Sequence, residues 1–187
     1  MTTTFDPSRL ADPGRLSAVA ATGLLDRPGS PGLDRLVRLA TRLLDAPAAL
    51  VTLVTADRQV FAAQRGLPPT LVAVGATPLS SSICRYVVED DAPLILTDTR
   101  TERRLAGNAA VDQLGVLAYA GMPIRVAGQT LGSFCAVDGQ PRPWSSTALE
   151  TLEDLAAAVA SEITLIRTAG DAEEKAAAIA AILEVSH

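Results

Sequence analysis

Cys84 and Cys135 are the side chains in this chain best suited to covalent or redox chemistry. A thiol works as a nucleophile or redox centre when it is accessible, has a lowered pKa and has a resolving partner. Arg85 follows Cys84, and Ser80-Ser81-Ser82 precede it as candidate N-caps of a short helix, Ile83 to Glu89. A neighbouring cation and a helix start both favour the thiolate. The plainer alternative is that both cysteines are small buried apolar residues, a common fate of this residue type. Other chemistries find less support. His187 is the only histidine and the last residue. Two cysteines with no internal histidine disfavour zinc. The mixed run Asp98, Arg100, Glu102, Arg103 and Arg104 has no nucleophile or general base beside it and reads as a solvated loop. Asp57-Arg58 reads as turn chemistry.

These residues must be held by a scaffold, and the stretch from Val116 to Trp144 is its clearest part. Val116 to Val126 is rich in β-formers and small residues. Thr130 to Asp138 alternates, with Leu131, Ser133, Cys135 and Val137 facing one way and Gly132, Phe134 and Ala136 the other. Ala127-Gly128-Gln129 between them signals a hairpin, since glycine tolerates the positive φ of such turns. Upstream, Asp12-Pro13 opens a helix over Gly14 to Leu25. Arg27-Pro-Gly-Ser-Pro-Gly32 reads as a breaker cluster. Leu33 to Leu44 follows as an amphipathic helix. Ala48 to Thr55 and Arg58 to Gln64 read as paired strands, residues 66–80 as irregular, and Leu94 to Leu96 as a short strand. Thr101 to Leu105 reads as one helical turn and Gly107 to Gly115 as a loop or frayed helix. This order excludes a repeating βαβ pattern and predicts an α+β fold.

From Ser145 the pattern becomes helical. Leu149, Leu152, Ala156, Val159, Ile163, Ile166 and Gly170 recur at alternating spacings of three and four, which is a heptad seam. Gly170 weakens it, and Asp171 is placed to recap a second segment, Ala172 to Val185. Residues 1–11 read as a flexible arm, 12–167 as one domain including its lead-in and C-terminal helices, and 168–187 as a helical extension.

Composition narrows the class. The net charge of −5 and pI near 4.9 argue against nucleic-acid binding, which wants a basic face. Fifteen of the sixteen basic residues are arginine, a skew that looks like codon bias. No apolar run reaches the roughly 18 residues needed to span a bilayer, and no secretory signal opens the chain. The expectation is a cytoplasmic protein with reduced thiols, touching neither nucleic acid nor membrane.

Several of these stretches resemble the GAF sensory domains. Asp12-Pro-Gly-Arg-Leu and Thr22-Gly-Leu-Leu-Asp26 are similar to the lead-in helix of a bacterial subgroup. Leu33 to Val54 resembles its first core helix and strand, and Asp57-Arg-Gln-Val-Phe-Ala-Ala-Gln-Arg-Gly-Leu67 its second strand. Ser82-Ile-Cys84 resembles a short helix that often carries Ser-x-Cys. Leu94 to Asp98, Tyr119-Ala-Gly-Met-Pro-Ile124 and Leu131-Gly-Ser-Phe-Cys-Ala-Val-Asp138 fit the later strands. The resemblance covers about residues 12–167.

It implies a GAF/PAS-like α+β domain: a central antiparallel sheet of five to six strands, N- and C-terminal helices on one face, and a ligand-pocket roof on the other. It also implies a sensory or regulatory module, without catalysis of its own, that dimerises through its terminal helices and signals to a partner protein. By family position the small-molecule pocket would be lined by Phe61, Ser81, Ser82, Cys84, Arg85, Tyr119, Gly121 and Phe134. Alternatively Phe61 and Phe134 fill the core and leave no cavity. The cofactor is unknown. Bilin is disfavoured because Arg85, not histidine, follows Cys84, and haem because His187 is the only histidine. The cyclic-nucleotide signature is absent. A thiol-dependent reductase of the free methionine sulfoxide type and a pure dimerisation scaffold are the alternatives. No kinase, cyclase or phosphatase module precedes His187, so a stand-alone domain is expected.

Overall fold

β1 (Ala48–Val54) has the sequence AALVTLV and is buried along its whole length. A strand that is apolar on both faces must be covered on both, and this one lies inside a sheet. β2 (Arg58–Arg65) and β6 (Gln129–Asp138) flank it. β3 (Ala76–Pro78) lies beyond β2; β5 (Ala118–Val126) and then β4 (Leu94–Leu96) lie beyond β6. The sheet has six strands in the order β3-β2-β1-β6-β5-β4, all antiparallel. With its helices this is the expected α+β architecture. The computed structural model describes residues 7–185. No described helix is long and apolar enough to cross a membrane.

The two faces carry separate cores. On one, α1 (Pro13–Ala20), α2 (Pro31–Leu43) and α6 (Ser146–Val185) cover the sheet. Val37 and Ala40 of α2 and Leu152, Val159 and Ile163 of α6 pack with Val51, Leu53, Ala120, Met122 and Phe134. The other face is roofed by α3 (Pro69–Val74), α4 (Cys84–Asp90) and α5 (Ala109–Asp112). Its core includes Leu50, Phe61, Val87, Leu105, Tyr119 and Cys135. The β5–β6 turn is two residues long, Ala127 and Gly128, with φ of 51° and 78°. Positive φ at both positions gives the twist that antiparallel strands need.

Two β-bulges decide which side chain faces which core. Val51 pairs with Ala63 and Thr52 with Phe61, so Ala62 is the extra residue in β2. Phe61 therefore points to the roofed face, while Ala62 and Ala63 both join the helical face. Ile124 pairs with Gly132 and Arg125 with Thr130, which leaves Leu131 as the extra residue in β6. Leu131 turns to the helical face, away from Cys135, where strict alternation had placed the two together.

Other departures from expectation have local causes. Ser30 Oγ accepts the Leu33 N–H at 3.0 Å and Pro31 occupies the first turn, so α2 starts inside the cluster expected to break structure. α1 stops at Ala20 rather than Leu25, because Gly23 at φ 70° takes the chain out of the helix. Residues 66–80, expected to be irregular, contain α3, β3 and the start of a 3-10 turn, Leu79–Ser81. Pro69 opens α3 and Gly75 at φ 70° closes it. Thr99–Thr101 and Arg103–Leu105 form two 3-10 turns in place of one helical turn. Of the arm assigned to residues 1–11, Pro7–Ala11 is a 3-10 turn with Leu10 buried; residues 1–6 lie outside the described residues.

α6 runs unbroken through Gly170 for 40 residues, so there is no second segment recapped at Asp171. Glycine costs about 1 kcal/mol in a helix interior, and the flanking alanines, glutamates and Lys175 are strong helix formers that offset it. The middle of the seam, Leu152 to Ile163, packs on its own domain, whereas Leu165, Ile179, Ile182 and Leu183 are exposed.

Arg15 locks the N-terminal turn to the sheet. It is 2% exposed, and its guanidinium has no carboxylate partner among the described residues. Nε donates to the Arg9 carbonyl at 2.8 Å, Nη2 to Leu10 at 2.8 Å, and Nη1 to Val54 at 2.7 Å and Thr130 at 3.5 Å. Burial lowers its pKa, with the Asp12 charge opposing. Charged hydrogen bonds contribute more than neutral ones, and carbonyls left unpaired in the interior add a desolvation cost. Arg15→Met should lower stability by about 2–3 kcal/mol, read as a reduced urea midpoint at unchanged m-value.

Candidate functional site

A cavity of about 60 Å³ lies between the sheet and its roof. The sheet supplies Leu50, Gln59, Phe61, Thr77, Tyr119 and Cys135; the roof supplies Leu67, Leu71, Ser81, Ile83, Cys84, Ala110 and Leu114. Leu114 is 44% exposed, so the cavity reaches the surface there. None of its lining side chains is an acid, a base or a histidine.

Its walls are set by strand geometry and by two residues without a β-carbon. The Ala62 bulge aims Phe61 inward. Gly121 leaves room for Tyr119, since a β-carbon there would overlap the phenol ring and hydroxyl. Gly132 lets β6 approach β1, since a β-carbon there would overlap the Thr52 carbonyl. Ser82 Oγ caps α4 by accepting the Arg85 N–H at 3.1 Å and donates to Gln59 Oε1 at 2.5 Å. Thr77 Oγ1 is buried with no hydrogen-bond partner among the described residues. A buried hydroxyl in that state costs about 1–3 kcal/mol, which makes it the cavity's open polar position.

Cys84 and Cys135 meet at the cavity wall, with their sulfurs 3.8 Å apart and neither in a disulfide. Tyr119 OH donates to Cys84 Sγ at 3.3 Å and lies 3.1 Å from Ser133 Oγ. The hydrogen bond between the thiols lowers Cys84 from its ordinary value to about 7, against the upward push of desolvation; Thr52, Tyr119 and Ser133 assist. The same hydrogen bond, then burial, raises Cys135 well above its ordinary value. Burial, then the neighbouring thiols, raise Tyr119, which keeps it a neutral donor. The pair thus holds one more acidic and one less acidic thiol.

Of the residues expected to line the pocket, Phe61, Ser81, Cys84 and Tyr119 do so. Ser82 lies behind it, bonded to Gln59. Gly121 lies under Tyr119. Arg85 lies outside, ion-paired to buried Glu89 at 2.8 Å and stacked over Tyr86. Phe134 belongs to the helical core, because it alternates with Cys135 along β6. That alternation was already legible and should have placed Cys135, not Phe134, beside Cys84. Gln59 was also within reach, two residues before Phe61 on one strand face. Thr77 and Ala110 carried no signal, since both lay in stretches read as irregular. His187 lies outside the described residues.

The family model described as GAF domain matches residues 32–163. The chain belongs to the GAF domain family. A cyclic di-GMP phosphodiesterase from Pseudomonas aeruginosa is 28% identical over 163 residues, covering 86% of this GAF chain and 27% of that protein. This chain therefore spans about a quarter of the length of that relative. The GAF domain of an Acinetobacter phosphoenolpyruvate-protein phosphotransferase superposes with a TM-score of 0.62 at 18% identity, covering 84% of this chain and 96% of that one. Free methionine-R-sulfoxide reductase from Neisseria meningitidis, solved with its substrate, gives 0.60 at 15% identity, with 84% and 88% covered. At these identities the structural likenesses establish the fold. GAF domains are generally signalling and sensing modules, and that general character holds for this chain.

Thr77 gives a direct test of the cavity's open polar position. Thr77→Val keeps the shape and removes the unpaired hydroxyl. Thermal unfolding of the unliganded variant should show unchanged or higher stability, by up to about 1 kcal/mol.

Proposed function

We propose that this GAF domain is a non-catalytic sensor of a small neutral molecule, held in the roofed cavity and read out through α6. The observation that carries the reading is the cavity itself, lined without a carboxylate, ammonium, guanidinium or imidazole among the described residues and with the Thr77 hydroxyl unpartnered at its wall. Polar groups converging on a mostly apolar hollow are the usual character of a ligand site. Transmission is supported by the sheet. Tyr119 and Cys135 face the cavity, while their neighbours Ala118, Ala120, Phe134 and Ala136 pack on the helical side. A ligand that binds two arrangements of these strands with different affinity shifts the helix between them.

The output is a homodimer formed through the terminal helices, with a partner signalling protein responding to it. Exposed Leu165, Ile179 and Leu183 on α6 support a second copy as the occupant of that surface. The domain works in the cytoplasm with its thiols reduced. The cyclic di-GMP chemistry in the name of the Pseudomonas protein is not assigned to this cavity, whose volume of about 60 Å³ is far below that of a dinucleotide.

A second reading, thiol-dependent sulfoxide reduction, is favoured by the Cys84–Cys135 contact and by the likeness to the Neisseria reductase. Cavity size weighs against it, because an apolar cavity of about 150 Å³ holds benzene and this one offers about 60 Å³.

A thermal-shift screen with small neutral molecules tests the sensor. A true ligand at a hundredfold Kd should stabilise the protein by about 2.7 kcal/mol, and Ala110→Leu, which fills the cavity, should abolish the shift. No shift from any compound would favour the scaffold alternative. Sedimentation tests the dimer. The chain should sediment as a dimer and the double variant Ile179→Glu, Leu183→Glu as a folded monomer; a monomeric wild type would remove the helix-mediated output.

A further inference from the structure

We propose that Cys84 and Cys135 form a peroxide-oxidisable pair that closes into a disulfide at the cavity wall, joining α4 to β6. This deepens the sensory reading by naming a chemical input. It rests on that reading for the response and not for the chemistry.

Geometry carries the proposal. The sulfurs stand 3.8 Å apart on elements far apart in sequence, and a disulfide needs about 2.05 Å, a shift of less than 2 Å. Both thiols line the cavity, so a reagent that enters meets them together. One water needs roughly 10–15 Å³ of such space, so about 60 Å³ has room for roughly four to six water-sized centres and admits a molecule of only a few heavy atoms. Hydrogen peroxide has two, is neutral, and suits a lining without carboxylate, ammonium or guanidinium groups. Tyr119 OH, 3.3 Å from Cys84 Sγ, is a neutral donor placed beside the sulfur where oxygen would be transferred.

The chemistry balances without further reagents. Cys84 sulfur attacks one peroxide oxygen and the O–O bond breaks. Cys84 becomes a sulfenic acid, and the second oxygen leaves as water with the former thiol proton. Cys135 sulfur then attacks the Cys84 sulfur, the S–O bond breaks, and a second water leaves with the Cys135 proton. Two thiols are oxidised by two electrons in all, and one peroxide is reduced to two waters. Cys84 is the first to react, being the more acidic thiol, and Cys135 resolves. Closure turns the Cys84 sulfur into a weaker acceptor for Tyr119 and draws the first turn of α4 onto β6, which changes the cavity wall on β5 and β6 together.

The test treats the reduced full-length chain with a small excess of hydrogen peroxide. It is then denatured with an alkylating agent, and the intact protein and its peptides are weighed. The expected product has lost two hydrogens, takes up no alkyl group, contains a Cys84–Cys135 linked peptide, and returns to two alkylations after dithiothreitol. Cys135→Ser should stop at a Cys84 sulfenic acid that dimedone traps, and Cys84→Ser should give no such adduct. Two alkylations after peroxide, a link only between separate chains, or over-oxidation of either thiol without the internal link would overturn the proposal. The wild-type arm decides this even if a variant fails to fold. Hydrogen exchange of α6 in the oxidised protein separates the two readings: a disulfide without any change there leaves the chemistry standing and removes its sensory consequence.

Discussion

Between Thr52 and Gly132 the two central strands approach so closely that no β-carbon fits on Gly132. The Thr52 hydroxyl donates to the Ser133 carbonyl at 3.1 Å across the same junction. β1 and β6 are therefore clamped together in one register. Because both are buried on both faces, a slip by one residue would exchange the roofed core for the helical core along their length. The facing of the cavity side chains that these two strands supply follows from this pairing. Leu50, Thr52 and Cys135 stand on the roofed side only because Val51, Leu53 and Phe134 are held on the other.

The main elements were legible because their signals are local and strong. The Ala127-Gly128 turn, the apolar run of β1 and the Leu-rich face of α2 each repeat one periodicity without interruption. The two bulges were not legible, since a bulge leaves composition unchanged and only breaks the count of two. Ala62 and Leu131 are ordinary strand residues, yet each flips what precedes or follows it. The stretch from Pro69 to Ser81 was missed for a different reason. Its helix has six residues and its strand three, too short for any period to emerge.

The site was half legible for the same reasons. Cys84 and Tyr119 come from segments whose family resemblance is strong, and Gln59 from the face of β2 that Phe61 shares, whereas Thr77 enters through the three-residue edge strand β3. Phe134 shows how a resemblance can override a sound periodicity: β6 alternates cleanly from Ser133 to Val137, and that alternation separates Phe134 from Cys135. Arg85, which drew attention as a possible activator of Cys84, is instead engaged with Glu89 and the Tyr86 ring. The acidity of Cys84 comes chiefly from its sulfur neighbour rather than from a cation.

The length of α6 has a mechanical meaning. Its last fully buried residue on the domain is Ile163, and the helix continues to Val185. Ile166 still packs on the core, and the residues beyond it, at 1.5 Å each, make a rod of about 28 Å anchored at its base. A tilt of about 5° at the base moves the free end by about 2.5 Å. The core need yield by only a fraction of an ångström for such a tilt. A lever of this proportion turns a change confined to strand packing into a displacement comparable with the spacing between side chains of two packed helices.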